Sequence, residues 1–132
     1  MTIKRFEDLE IWQQARELCK KIRITAETTS LGKDFSLKDQ IFRSSGSVMD
    51  NIAEGFERDG KKEFINFLYI SKGSLGETRS QVYRSFDAKH FKEEVYNDLL
   101  HDCLNLSGKI AHFINYLSHS EYDGTKKKTL KP

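Results

Sequence analysis

Gln40-Ile41-Phe42-Arg43-Ser44-Ser45-Gly46-Ser47-Val48-Met49-Asp50-Asn51-Ile52-Ala53-Glu54-Gly55 carries two stripes when wound at helical spacing. Leu37, Ile41, Ser45, Val48, Ile52 and Phe56 share one side, which should face a core. Gln40, Arg43, Ser47, Asn51 and Glu54 recur every three or four residues and share another. A solvated helix face is usually rich in Lys and Glu. This stripe instead mixes amides, a hydroxyl, one Arg and one Glu, groups that hydrogen-bond each other where water is scarce. A solvated face that happens to lack Lys is the competing reading. The run Ser44-Ser45-Gly46-Ser47 has poor helix propensity, so it stays helical only if packing on its flanks compensates. Its small side chains also admit a neighbouring backbone.

Upstream, Ser36 reads as the cap of this helix, with Asp39 in a capping-box position. Downstream, Gly55 reads as a left-handed terminator or a close-packing point. Three further amphipathic stretches complete the chain. The first, about 8–29, has Ile11, Trp12, Ala15, Leu18, Cys19, Ile22 and Ala26 on one side. The stretch 61–88 has Phe64, Phe67, Leu68, Ser71, Leu75, Thr78, Val82 and Phe86, plus a second stripe of Ile65, Tyr69, Gly76 and Tyr83. The stretch 92–118 has Val95, Leu99, Cys103, Leu106, Ile110, Phe113 and Leu117. Four such segments (with the second at about 36–56) and short connections predict an all-α, antiparallel up-down-up-down four-helix bundle over 1–118. Residues 119–132 read as a polar, basic, frayed tail. Two apolar stripes on the third helix need two covers, the bundle core and a second subunit. Scattered surface tyrosines are the alternative.

The 132 residues suffice for one domain with one modest core, and 32% of them are charged. No apolar run is long enough to span a membrane. Met1-Thr2-Ile3-Lys4-Arg5 is not followed by the apolar run of a signal peptide, which places the expectation in the cytoplasm. Cys19 and Cys103 read as reduced, buried thiols. A net charge of +2 is too small to argue nucleic-acid binding from the total.

The common catalytic patterns are missing. Gly32-Lys33 lacks the spacing of a phosphate loop, and Gly73-Ser74-Leu75-Gly76 lies inside a helix rather than at a nucleophile elbow. No Cys/His cluster has zinc spacing. A di-iron bundle needs inward glutamates and two Glu-x-x-His pairs. Glu54 and Glu77 could point inward, and the nearest pairing, Asp98-Leu99-Leu100-His101, is single and mostly off the core stripe. His101, His112 and His119 read as surface histidines. No metal or cofactor is expected. On the polar side, Arg43 is expected to meet Glu77, within a subunit or across a contact, with Arg84 the other candidate on the third helix to complete a network.

Taken together, Gln40, Arg43, Ser47, Asn51-Ile52-Ala53-Glu54-Gly55, Arg58, Glu63-Phe64, Phe67-Leu68 and Gly73-Ser74-Leu75-x-Glu77 resemble the bacterial four-helix bundle proteins encoded in intervening sequences of 23S rRNA genes. Phe6-x-x-Leu9-x-x-Trp12 fits as well, so the resemblance covers about 6–117. It implies a bundle that assembles into a homopentameric ring and has no enzymatic activity. Through the related accessory protein of diversity-generating retroelements, a basic pentameric bundle, it also implies RNA or DNA as a partner. Met49 stands where family members often have Pro, and the first loop lacks the Pro that members often carry there.

The function expected is therefore a non-enzymatic homo-oligomer. Its interface or polar network would comprise Gln40, Arg43, Ser47, Asn51, Glu54, Glu77, Ile65, Tyr69 and Tyr83. Structured RNA or DNA would meet Arg16, Lys20, Arg23, Lys61, Lys62, Lys126, Lys127 and Lys128. The alternative is a protein-interaction scaffold with no nucleic-acid contact. An enzyme would need an interior cleft holding Glu54 and Glu77. No small-molecule substrate is expected.

Overall fold

The amphipathic stretches fold as four α-helices in a computed structural model that describes residues 2–124 and 130. α1 spans Glu10–Thr28, α2 Phe35–Glu57, α3 Lys61–Asp87 and α4 Glu93–Ser118. A single 3-10 turn, Phe6–Asp8, precedes α1, and another, Ser30–Lys33, leads into α2. Each helix packs against its neighbours in sequence, and α1 also touches α4, which makes a four-helix bundle. Among the described residues no helix is long and apolar enough to cross a membrane.

The core is built from the predicted stripes. Ile22 of α1, Ile41, Val48 and Ile52 of α2, Phe64, Leu68, Leu75 and Val82 of α3, and Leu99, Ile110 and Leu117 of α4 are all buried. Burying side chains of this size contributes roughly 1.5–3 kcal/mol each before the entropy cost of ordering the chain. Cys103 lies in this core, and burial pushes its thiol up to about 12. Cys19 is half-buried and donates to the Ser45 carbonyl at 3.2 Å.

Two local readings need correction, at the start of α2 and beyond Ser118, and the two alternatives for Gly55 resolve to one. The cap of α2 is Asp34, not Ser36: Asp34 Oδ1 accepts from the Leu37 N–H at 3.3 Å. The cause lies far along the chain. His90, after α3, places Nε2 2.9 Å from Asp34 Oδ2 and Nδ1 2.7 Å from Ser30 Oγ. This tie fixes the loop with Asp34 at the mouth of the helix. The His90 contact, with the Leu37 N–H second, holds the Asp34 carboxyl below its ordinary value.

Gly55 does not terminate α2, which runs on to Glu57; the left-handed residue is Asp59, at φ 57°. Gly55 is the close-packing point instead. A Cβ added there would lie 2.7 Å from Phe67 Cβ on α3.

Beyond Ser118 the described residues pack back on the bundle, where the sequence pointed to a frayed end. Tyr122 is buried edge-on against Phe64, Lys61 Nζ donates to the Ser120 carbonyl at 2.9 Å, and buried Leu130 pairs with Ile3 through a backbone bond of 2.9 Å. One aromatic and one leucine in a polar stretch make too short a pattern to register as a stripe. Lys126, Lys127 and Lys128 lie outside the described residues.

Candidate functional site

The polar stripe of α2 is only half of a paired arrangement. On α3, Ser71, Ser74, Thr78, Gln81 and Ser85 recur at spacings of three and four, and all five are buried. Thr78 and Gln81 meet Ser44 of α2, and Ser74 meets Ser47. Ser44 Oγ donates to Gln81 Oε1 at 2.6 Å and lies 2.8 Å from Thr78 Oγ1, whose own hydroxyl reaches the Ser74 carbonyl at 3.1 Å. Ser71 Oγ donates across the seam to the Val48 carbonyl at 2.7 Å. Ser47 and Ser74 hydroxyls meet at 2.9 Å, and Asn51 Nδ2 donates to both the carbonyl and hydroxyl of Ser47 at 2.8 Å. Each such bond contributes about 1 kcal/mol net, while leaving one member unpaired would cost about 1–3 kcal/mol. The sequence reading placed Ser71 and Thr78 on the core stripe but missed that this hydroxyl row answers the serines of α2. The three-four spacing of small polar residues was the available signal.

Above this seam lies a shallow groove of about 300 Å³, lined by Gln40, Arg43, Ser44, Ser47, Ser74, Glu77 and Gln81. It gathers three members of the predicted α2 stripe with Glu77 of α3. Gln40 Oε1 accepts from Arg84 Nη1 at 2.8 Å, so Arg84 does join the network. Glu54 is exposed and pairs along its own helix with Arg58 at 2.8 Å. Arg43 and Glu77 face the groove from its two sides without an ion pair, and neither has a hydrogen-bond partner among the described residues. The intrachain form of the expected Arg43–Glu77 pair is therefore absent.

The other predicted residues are dispersed. Tyr69 and Tyr83 are exposed on α3, Ile65 is half-buried, and Tyr83 lies edge-on to Tyr96 at 5.7 Å. Of the basic candidates, Arg16, Lys20, Arg23 and Lys62 are exposed. Arg16 lies over Trp12, Arg23 covers Phe42 of α2 at 4.6 Å, and Lys20 pairs with Glu17 at 3.3 Å. Lys61 is committed to Ser120 rather than free for a phosphate. Glu54 and Glu77 both face outward, so no interior carboxylate pair exists among the described residues, nor any group of three metal-ligating side chains. His101, His112 and His119 are exposed. The arrangement can hold a polar surface by hydrogen bonds and one pair of opposite charges; it does not assemble an acid, a base and a nucleophile around a cleft.

The family described as 23S rRNA-intervening sequence protein matches residues 7–112 of the chain. Among solved structures, the chain is similar to a protein of unknown function from the S23 ribosomal protein family of Bacteroides thetaiotaomicron. The two are 22% identical with a TM-score of 0.73, over 79% of this chain and 97% of that one. At that identity the likeness is one of fold. No curated protein matches the chain.

Proposed function

The chain belongs to the 23S rRNA-intervening sequence protein family, and from that premise we propose that it acts without catalysis, as a helical bundle that assembles with copies of itself in the cytoplasm. One observation carries this reading: large apolar side chains stand in water along α3, with Tyr69 59%, Ile70 52% and Tyr83 45% exposed. A helix already buried along its core stripe gains from covering such residues only if another surface is brought to it. A ring of five copies is what the family resemblance implies for the assembly. Light scattering on the purified chain tests the reading. A mass of several protomers is expected; a lone 15.4 kDa species at high micromolar concentration overturns it.

A second reading, that the assembly holds structured RNA or DNA, is favoured by the exposure of Arg16, Lys20, Arg23 and Lys62. Phosphate contacts would dominate, so binding would fall steeply with salt. The absorbance ratio recorded with the scattering, and gel shifts of rRNA fragments at low and high salt, check it. No retardation even at low salt leaves self-assembly, or docking of another protein, as the role of these surfaces.

A further inference from the structure

We propose that the α2–α3 groove is a charge-matched contact between copies of this chain, in which Arg43 on the α2 lip of one protomer pairs with Glu77 on the α3 lip of the next. This rests on the self-assembly proposed above and names the face it uses. Two charges near the groove are taken up within the chain, Glu54 by Arg58 and Arg84 by Gln40. Arg43 and Glu77 are exposed, of opposite sign, on opposite lips of one groove, and without partners among the described residues. The floor between them is neutral, made of the hydroxyls of Ser44, Ser47 and Ser74 and the amide of Gln81. Ile70 stands two turns before Glu77 on the same side of α3 and is 52% exposed, which adds apolar area to that lip.

These features select the occupant. A polyanion would meet Arg43 but be repelled by Glu77, and an acidic protein surface would fare the same. A purely basic partner would leave Arg43 opposed. Like charges set against each other across an interface cost several kcal/mol. Copies of this chain satisfy both charges head to tail: one neighbour brings its Glu77 to Arg43, and another brings its Arg43 to Glu77. Setting the α2 lip against the neighbour's α3 lip is a head-to-tail contact, the kind that closes into a ring when its rotation permits.

Charge reversal tests the pairing. Arg43→Glu and Glu77→Arg are each expected to weaken association roughly a hundredfold, and the double variant to regain it to within about tenfold. The readout is mass against concentration by light scattering, with helicity and melting confirming that each variant folds. Arg43→Gln and Glu77→Gln serve where a reversed variant does not fold, and each is expected to weaken association about tenfold. If the wild-type chain is monomeric, self-assembly fails and this pairing with it. If the wild type assembles and both single reversals keep its mass, or if the singles dissociate and the double does not recover, the pairing alone is overturned and self-assembly through another face stands.

Discussion

Two seams of the bundle solve the same problem in opposite ways. α2 and α3 meet through small and hydroxyl-bearing residues, with Gly55 leaving no room for a Cβ before Phe67. The helices come close, water is excluded, and the polar atoms between them bond across the seam. α1 and α4 make the thinner contact. Their seam is flanked by grooves of about 970 Å³ and about 580 Å³, with Leu104 and Ile24 exposed along them. Long charged side chains bridge it: Lys21 to Asp98 at 2.5 Å and Asp102 at 2.6 Å, and Lys109 to Glu10 at 2.5 Å. Gln14 Oε1 is buried there without a hydrogen-bond partner. Close approach makes polar satisfaction obligatory, because a dry unpaired group is costly; a gap lets long side chains stay partly hydrated and leaves less at stake in each contact.

Glycine substitutions give the sharpest test of that contrast. Gly55→Val is expected to cost about 3 kcal/mol through overpacking, a fall in melting temperature of roughly 3–5 °C per kcal/mol for a domain this size. Gly108→Ala on α4, where a Cβ meets nothing within 4 Å, is expected to stabilise by about 0.5–1 kcal/mol through helix propensity. Equal effects at the two sites would break the comparison.

A smaller effect separates hydrogen bonding from packing in the tight seam. Thr78→Val keeps shape and removes the hydroxyl that links Ser44 to the Ser74 carbonyl. A loss of about 1 kcal/mol in denaturant unfolding, insensitive to salt, is expected. A neutral result would show that the hydroxyl row sets spacing only.

The smallest effect belongs to the open seam. Lys21→Met should cost below about 1 kcal/mol at low salt and nothing measurable at high salt, since all three charges stay partly exposed. Burial alone would lower the Lys21 ammonium; the hydrogen bonds it donates to Asp102 and Asp98 outweigh it and hold the group above its ordinary 10.5. A raised folded value means that the contribution is fully present below 10.5 and is lost as pH rises through the folded value. Melts from about pH 9 to about pH 12 should therefore fall less steeply in Lys21→Met than in wild type. A Lys21 effect larger than that of Thr78 would reverse the ranking of the seams.

Much of the candidate face was legible one helix at a time. The stripe from Gln40 to Glu54 was visible because its residue types did not suit plain solvent, and the poor helix propensity of Ser44 to Ser47 signalled packing on both flanks. The exposed Tyr69 and Tyr83 followed from a stripe too far around α3 to reach the core. What stayed hidden involved partners on other elements. Glu77 and Arg84 were both candidates to join the α2 stripe, and only Arg84 bonds to it within the chain, because the relative placement of two helices decides which side chain spans the gap. Asp34 caps α2 because His90 reaches it from beyond α3.

The sequence by itself determined four amphipathic helices, the apolar side of each, and the presence of polar residues ill-suited to water. Periodicity is a property of one helix, and it needs no knowledge of the others. Only the tertiary structure decided which seam would be tight, which hydroxyls would be dry, and which charges would be left unpaired on the surface. Those outcomes depend on the rotation and separation of whole helices, which the entire core sets at once through side-chain volume and hydrogen-bond satisfaction.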